Sequence, residues 1–190
     1  MSHRSQSLVL LSISLGFMSL PCDLSIAEET VSVKSRDLKL DIPKSWKQEE
    51  PSSSMRVAQF RIPAAEGDKD DATMAVFKFP GGGAMMANIN RWVNQFKPEG
   101  RKVDLVIGKS PQGEYALVHI SGDYGTMDMV SRKYVEHKGW RVSGVVISMP
   151  EKGSYFLKMS GPEKTVAGQA AALRAAFGGD EASEKKVDVN

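Results

Sequence analysis

The sequence predicts an α+β fold, in which a mainly antiparallel β-sheet carries helices packed on its faces. Several segments alternate apolar and polar side chains with the two-residue period of a strand. Some of these strands are apolar on both sides, which indicates a sheet covered on both faces. Residues 85–96 and 161–177 instead repeat apolar side chains at helical spacing. We expect these two helices to cover one face each.

The strands before the first helix are predicted from this alternation. Residues 38–42 alternate Leu and Ile with charged side chains, and Trp46 beyond them is expected to fill the core. Residues 55–62 and 73–79 follow the same period. The charged segment 66–71 between them lacks the spacing of an EF-hand calcium loop. A solvated connection between two strands is the preferred interpretation.

A glycine run at residues 81–83 joins the third strand to the first helix. Glycine allows positive φ, so the run permits a sharp turn. It could also hold an anion at the helix N-terminus, but neither phosphate-binding glycine spacing is present, and a tight turn is preferred. No Ser or Asp caps the helix, so its stability is expected to come from burying an apolar stripe that includes Trp92 and Phe96.

The strands after the first helix are predicted at residues 102–107, 114–121, 140–149 and 154–159. Residues 122–138 lack clear periodicity. They are interpreted as a long connection, with a short strand at residues 132–135 as an option. The charged residues 180–190 are expected to be disordered. The prediction is one α+β domain over residues 36–178 and a disordered tail over residues 179–190.

The N-terminus predicts export. An apolar run at residues 8–20 follows His3 and Arg4 and is too short to span a bilayer comfortably. We interpret residues 1–27 as a signal peptide cleaved after Ala27, which places the protein in the periplasm or outside the cell. Lipid anchoring at Cys22 is disfavoured because Pro21 precedes it. No later segment is long and apolar enough to cross a membrane.

Three stretches carry a resemblance to known proteins. The stretches are Trp46 with residues 51–63, the Gly-rich turn with residues 88–96, and residues 155–166. Together they make most of residues 36–178 similar to a group of uncharacterised exported bacterial proteins. More distantly, the order of elements resembles the PsbP-type α/β/α sandwich. PsbP-like relatives are accessory or binding proteins, so the resemblance implies a non-enzyme and no particular site residue.

Composition argues against nucleic-acid binding. The 190-residue chain has a formal net charge of +2, with 41% apolar and 25% charged residues. Five cations were considered as a basic surface and are attributed to solubility and local pairing. They are Arg56, Arg91, Arg132, Lys133 and Arg141. Four methionines were considered as an adaptable contact surface, although core filling is preferred. They are Met85, Met86, Met127 and Met129.

No catalytic, metal or cofactor signature is visible. After export only His119 and His137 remain, without the spacing of a zinc site. A Ser-His-Asp arrangement stays open because such residues converge only in three dimensions. Asp123, Asp128 and Glu136 could pair as carboxylates, although a solvated loop is preferred.

We therefore predict an exported, non-catalytic module that binds a protein or envelope partner, with no cofactor and no metal. The alternative is a small hydrolase or ligand-binding protein with a site beside the 122–138 loop, near His119 or Asp123. A deep pocket with convergent polar groups would favour the alternative. A flat, closed surface would favour the first prediction.

Overall fold

An antiparallel sheet forms the centre of this computed structural model, which describes residues 29–79, 84–127 and 131–189. Within those ranges the strands are β1 (Thr30–Ser35), β2 (Leu38–Pro43), β3 (Lys47–Glu49), β4 (Arg56–Ile62), β5 (Ala72–Phe79), β6 (Lys102–Ser110), β7 (Gly113–Met127), β8 (Tyr134–Met149), β9 (Gly153–Pro162) and β10 (Asp180–Lys186). The helices are α1 (Met85–Val93), α2 (Glu163–Gly168) and α3 (Ala170–Ala176).

Eight of these strands form one sheet in the order β10-β6-β7-β8-β9-β5-β4-β3, and every neighbouring pair is antiparallel. The strands β1 and β2 pair separately as a hairpin. A mostly antiparallel sheet with few helices confirms the α+β class. The hairpin begins at Thr30, ahead of the first strand that the sequence predicts at residues 38–42.

The two faces of the sheet are covered differently. On one face β1, β2, α2 and α3 enclose a core that includes Leu40, Phe60 and Tyr155. On the other face α1 buries Ile89, Trp92 and Val93. Helices therefore cover both faces, as the two-sided apolar strands predict. Trp46 is buried, as expected of a core residue.

The helix α1 is held by packing rather than by its ends. It is nine residues long, and no side chain caps its N-terminus at Ala84. Short helices are marginal alone, so its buried stripe must stabilise it. The Trp92 ring lies directly on Gly144 of β8, where an added Cβ would be 2.3 Å from ring atom Cζ3. Residues 81–83, where the sequence predicts the turn and considers an anion site, lie outside the described residues.

The prediction that residues 122–138 form a long connection is wrong, because most of them belong to two paired strands. They include the outer halves of β7 and β8, which pair from Tyr124 with His137 to Met127 with Tyr134. A register shift between Gly122 and Tyr124 changes which side chains face the core, and this shift interrupts the period-two pattern. Asp128 and Met129 lie outside the described residues.

The prediction that residues 180–190 are disordered is wrong for the first seven of them. Asp180–Lys186 forms β10, which pairs with the edge strand β6. Glu184 ties it to the body of the protein. Its Oε1 accepts hydrogen bonds from Arg174 Nε at 2.7 Å and from the Tyr115 hydroxyl at 2.8 Å. A strand held by polar side chains leaves no apolar pattern in the sequence.

The last helix also differs from prediction, because residues 161–177 form two short helices, α2 and α3, instead of one. The break falls at Gln169, directly after Gly168. Glycine disfavours helix, and Gln169 Oε1 accepts a hydrogen bond from Trp46 Nε1 at 2.9 Å. The leader predicted over residues 1–27 lies outside the described residues.

Candidate functional site

A cleft lies beside α1, above β4, β5 and β9, and is called here the α1-side cleft. It consists of two adjoining cavities of about 350 Å³ and 400 Å³ that share Phe77, Gln95 and Lys158. The first, the aromatic cavity, is also lined by Met55, Phe79, Arg91, Trp92 and Phe156. The second, the polar cavity, is also lined by Arg56, Gln59, Thr73, Ala75, Tyr124, Thr126, His137, Trp140 and Ser160.

Strand alternation places a lysine on the floor of the cleft. In β9 the side chains of Tyr155, Leu157 and Met159 belong to the opposite core. Phe156 packs in the core beneath α1, and Lys158 follows it on the same face two residues along the strand. Lys158 therefore occupies a position that an apolar side chain would fill in an ordinary core strand.

The Lys158 amine is held by two neutral groups. It donates hydrogen bonds to Gln95 Oε1 at 2.6 Å and to the Tyr124 hydroxyl at 3.0 Å, and it lies 5.1 Å from the Tyr124 ring centroid. Burial lowers the pKa of Lys158 to about 8, and the positive charges of Arg91 and Arg56 contribute to the decrease. The amine thus belongs to a half-buried lysine whose pKa is influenced by two further cations, of which Arg91 is exposed to solvent.

The two arginines of the cleft are held by neutral oxygens in the part of the chain that the structure describes. Arg56 Nη1 donates to Gln59 Oε1 at 2.5 Å, its guanidinium lies 5.8 Å from the Phe77 ring centroid, and burial lowers its pKa. Arg91 Nη2 donates to Asn88 Oδ1 at 2.7 Å. Among the described residues neither arginine forms an ion pair, and no carboxylate lines either cavity.

Aromatic rings form the wall of the polar cavity. Trp140 stacks on His137 with ring centroids 3.9 Å apart and on Tyr124 with centroids 5.9 Å apart. Phe96, directly after α1, packs on Tyr124 from below at 5.1 Å. These contacts fix the Tyr124 hydroxyl beside Lys158 and join the β7–β8 arm to the cleft.

The structure does not assemble a Ser-His-Asp site around His119. His119 Nδ1 lies 2.8 Å from the Ser143 hydroxyl, on the sheet face opposite the α1-side cleft. Ser143 is fully buried, so a substrate could not reach its hydroxyl. No carboxylate in the described part of the chain is hydrogen-bonded to His119. Burial, with a contribution from Arg141, lowers the pKa of His119 to about 4.

The other residues considered from sequence are dispersed. Glu136 pairs with Lys97, with its Oε2 at 2.7 Å from Nζ, and the backbone oxygen of Asp123 accepts from the Lys97 amide. Arg132 and Lys133 are exposed, whereas Arg141 Nε is buried without a hydrogen-bond partner among the described residues.

The methionines considered as a contact surface also separate. Met85 packs against the core beneath α1, and Met86 and Met127 are exposed at different places. Met55, which was assigned to a strand, instead stands exposed beside the aromatic cavity. Methionines therefore contribute to the cleft only through Met55 among the residues that the structure describes.

Sequence reasoning missed the role of Lys158, Arg56 and Arg91. It attributed both arginines to solubility and made no statement about the lysine. One signal was available for Lys158, because a lone cation interrupts a strand that is otherwise apolar on both faces. The approach of Arg56 and Arg91 to that lysine depends on the packing of α1 on the sheet, which local sequence does not specify.

The chain matches no protein-family model, and no curated protein matches it in sequence. Across residues 29–79, 84–127 and 131–189, none of the helices has the length and apolarity required to cross a bilayer. In the same ranges, no three side chains of His, Cys, Asp or Glu converge as a metal site requires. The side chains of the cleft are therefore the features of the described residues that bear on function.

Proposed function

We propose that this protein is an exported, non-catalytic module that binds a small ligand in the α1-side cleft. The observation that carries the proposal is the meeting of an aromatic and a polar cavity at Lys158, whose amine is held by Gln95 and Tyr124. A concave site with an apolar lining and a few fixed polar groups is the usual form of a small-molecule site.

The position of the cleft supports the ligand-binding alternative of the sequence analysis. Tyr124, Thr126 and His137 come from residues 122–138, the region beside which that site was expected. The cleft lies on the face opposite His119. Its described lining offers cations and hydrogen-bond donors, which suit recognition, and it does not pair a serine with a base. We therefore favour binding over hydrolysis.

Export and the PsbP-type likeness belong to the same proposal. The basic start, apolar run and small residues before Glu28 support a cleaved leader. A sheet with helices on both faces agrees with a PsbP-like sandwich, whose known members are accessory or binding proteins. Sequencing of the exported protein is expected to read from Glu28, and a mature chain that begins at Met1 would contradict export.

A protein or envelope partner is the second candidate. It is favoured by Met127 and Tyr134, which are 53% and 61% exposed at the outer end of the β7–β8 arm. Exposed apolar side chains at one place can mark a contact surface. Capture of a partner that depends on Met127 and Tyr134, together with no ligand in the cleft, would favour this candidate.

The proposed function is tested by blocking the cleft without removing its charges. Ala75 lies on the floor of the polar cavity, and Ala75→Leu should fill part of it. In a thermal-shift screen of small organic acids, amines and neutral compounds, we expect stabilising compounds to lose their effect on Ala75→Leu. The control is Ala171→Leu, at an exposed position on α3. Equal shifts in both variants would contradict the proposal.

A further inference from the structure

We infer that the ligand of the α1-side cleft is an amphipathic anion, with its charged head at Lys158 and Arg56 and its apolar body in the aromatic cavity. This inference rests on the proposed function, because it assumes that the cleft binds a small molecule. It adds the chemical class of the ligand and the orientation in which the ligand lies.

The head-group end has unused donors. A lysine ammonium carries three N–H donors, and Lys158 uses two of them within the described structure. An arginine carries five donors, and Arg56 uses one, to Gln59. The acceptors already present are neutral oxygens. An anion is the ligand that would both fill the remaining donors and compensate the charge.

No carboxylate of the described residues lines the cleft to compensate its positive charge. Arg56 and Arg91 lie close enough to Lys158 for their positive charges to lower its pKa. Within the described ranges, the carboxylate that comes nearest to the cleft lining is that of Glu49, whose Oε2 lies 3.3 Å from Gln59 Nε2. Glu49 is itself paired with Arg61, with Oε1 2.9 Å from Nε. A cleft lined by cations attracts anions.

The body end is apolar and partly uncovered. Phe156 forms edge-to-face contacts with Phe79 at 5.2 Å and with Trp92 at 6.4 Å between ring centroids. Phe79 is 36% exposed and Met55, beside the same cavity, is 64% exposed. These side chains offer an apolar surface that the protein itself does not cover, and the apolar body of a ligand would bury it.

The two ends lie at the right separation for one small molecule. Phe77 pairs with Phe156, and Ala75 pairs with Lys158, so head and body are separated by two residues along neighbouring strands. Phe77, Gln95 and Lys158 line both cavities. A ligand that contacts Lys158 with a carboxylate therefore has the aromatic cavity directly beside its first carbon atoms.

Four probes of one chain length test the inference by titration calorimetry on the full chain at pH 7: decanoate, decyl sulfate, decan-1-ol and decylamine. We expect the two anions to bind at least tenfold more tightly than the alcohol, and the amine to bind most weakly. Lys158→Met should weaken decanoate about 100-fold, because an anion would lose its buried partner. Equal affinity of Lys158→Met and the unmodified protein for decanoate would overturn the inference.

Lys78→Met is the matched control. Lys78 lies on β5, the strand that pairs with β9, but its amine pairs with Asp37 on the opposite face and it lines neither cavity. It should leave decanoate affinity within twofold. If Lys158→Met does not fold, Arg56→Gln provides the second variant and should weaken decanoate at least tenfold.

The outcomes separate this inference from the proposed function. Equal binding of decan-1-ol and decanoate, lost in Ala75→Leu, would overturn the anionic class and retain a ligand cleft. Tighter binding of decylamine than of decanoate would likewise overturn the anionic class and retain a ligand cleft. No binding of any probe to the unmodified protein, together with an empty thermal-shift screen, would overturn both. Decanoate binding that Lys78→Met weakens as much as Lys158→Met would also overturn the inference.

Discussion

Trp92→Ala is expected to lower the free energy of unfolding by about 3–5 kcal/mol, the usual cost of truncating a large buried aromatic side chain. Trp92 is 3% exposed, lies on Gly144 and packs edge-to-face on Phe156. Because α1 is short and uncapped, this contact is a main attachment of the helix to the sheet. Urea unfolding followed by circular dichroism measures the change.

Met86→Ala is the control for that prediction. Met86 belongs to the same helix but is 37% exposed, and its truncation should change the free energy of unfolding by less than about 0.5 kcal/mol. Both variants place Ala in the same helix, but only Trp92→Ala removes a buried side chain. An equal loss of unfolding free energy in both variants would show that the buried Trp92 side chain does not hold α1 on the sheet. The α1 wall of the cleft would then lack this attachment.

Gly144→Val is expected to destabilise the protein by about 3 kcal/mol, at the upper end of what overpacking costs. Its Cβ would lie 2.3 Å and 2.4 Å from the Trp92 atoms Cζ3 and Cε3, so either the ring or β8 must move. The same urea unfolding measures the loss. Ser148→Val controls for the presence of a valine on this strand, since Ser148 is an exposed residue of β8 on the same face.

A double variant makes the Gly144 prediction specific. Trp92→Leu removes the ring atoms that the new side chain would meet. Gly144→Val should therefore cost clearly less in the Trp92→Leu background than in the unmodified protein, and contacting residues commonly show coupling of about 0.5–3 kcal/mol. An undiminished cost in that background would place the clash elsewhere.

The alternation of apolar and polar side chains predicted most strands of the sheet. It failed where the register between two strands shifts and where a strand has no apolar face. The strands at residues 38–42 and 73–79 were predicted close to their observed bounds because each keeps one phase along its length. The β7–β8 arm was missed because the register shift at Gly122 changes the phase. The strand β10 was missed because Glu184, rather than an apolar face, holds it.

The cleft could be predicted only in part. Residues 122–138 were predicted to lie beside a site near His119 or Asp123, but His119 belongs to the opposite face and Asp123 lines neither cavity. Lys158 interrupts an apolar strand, a signal that local sequence does contain. Its contacts with Gln95 and Tyr124 could not be predicted, because the three residues are far apart in the chain. Gln95 lies just beyond the end of α1, and Tyr124 follows the register shift in β7.

The pH dependence of ligand binding follows from the position of Lys158. An anion binds the protonated amine more tightly than the neutral amine, so bound anion must raise the pKa of Lys158. Conversely, affinity should fall as the pH rises through about 8, where the free amine loses its proton. Among the described residues, the charged and titratable side chains that line the cleft with this amine are Arg56, Arg91, Tyr124 and His137, and burial raises the pKa of Tyr124.

The most direct measurement is the pKa of the Lys158 amine by NMR of isotope-labelled lysine, assigned with Lys158→Met, without and with saturating decanoate. We expect a pKa near 8 in the free protein and a clear rise when decanoate is bound. A Lys158 pKa that decanoate leaves unchanged, while decanoate binds, would contradict the account.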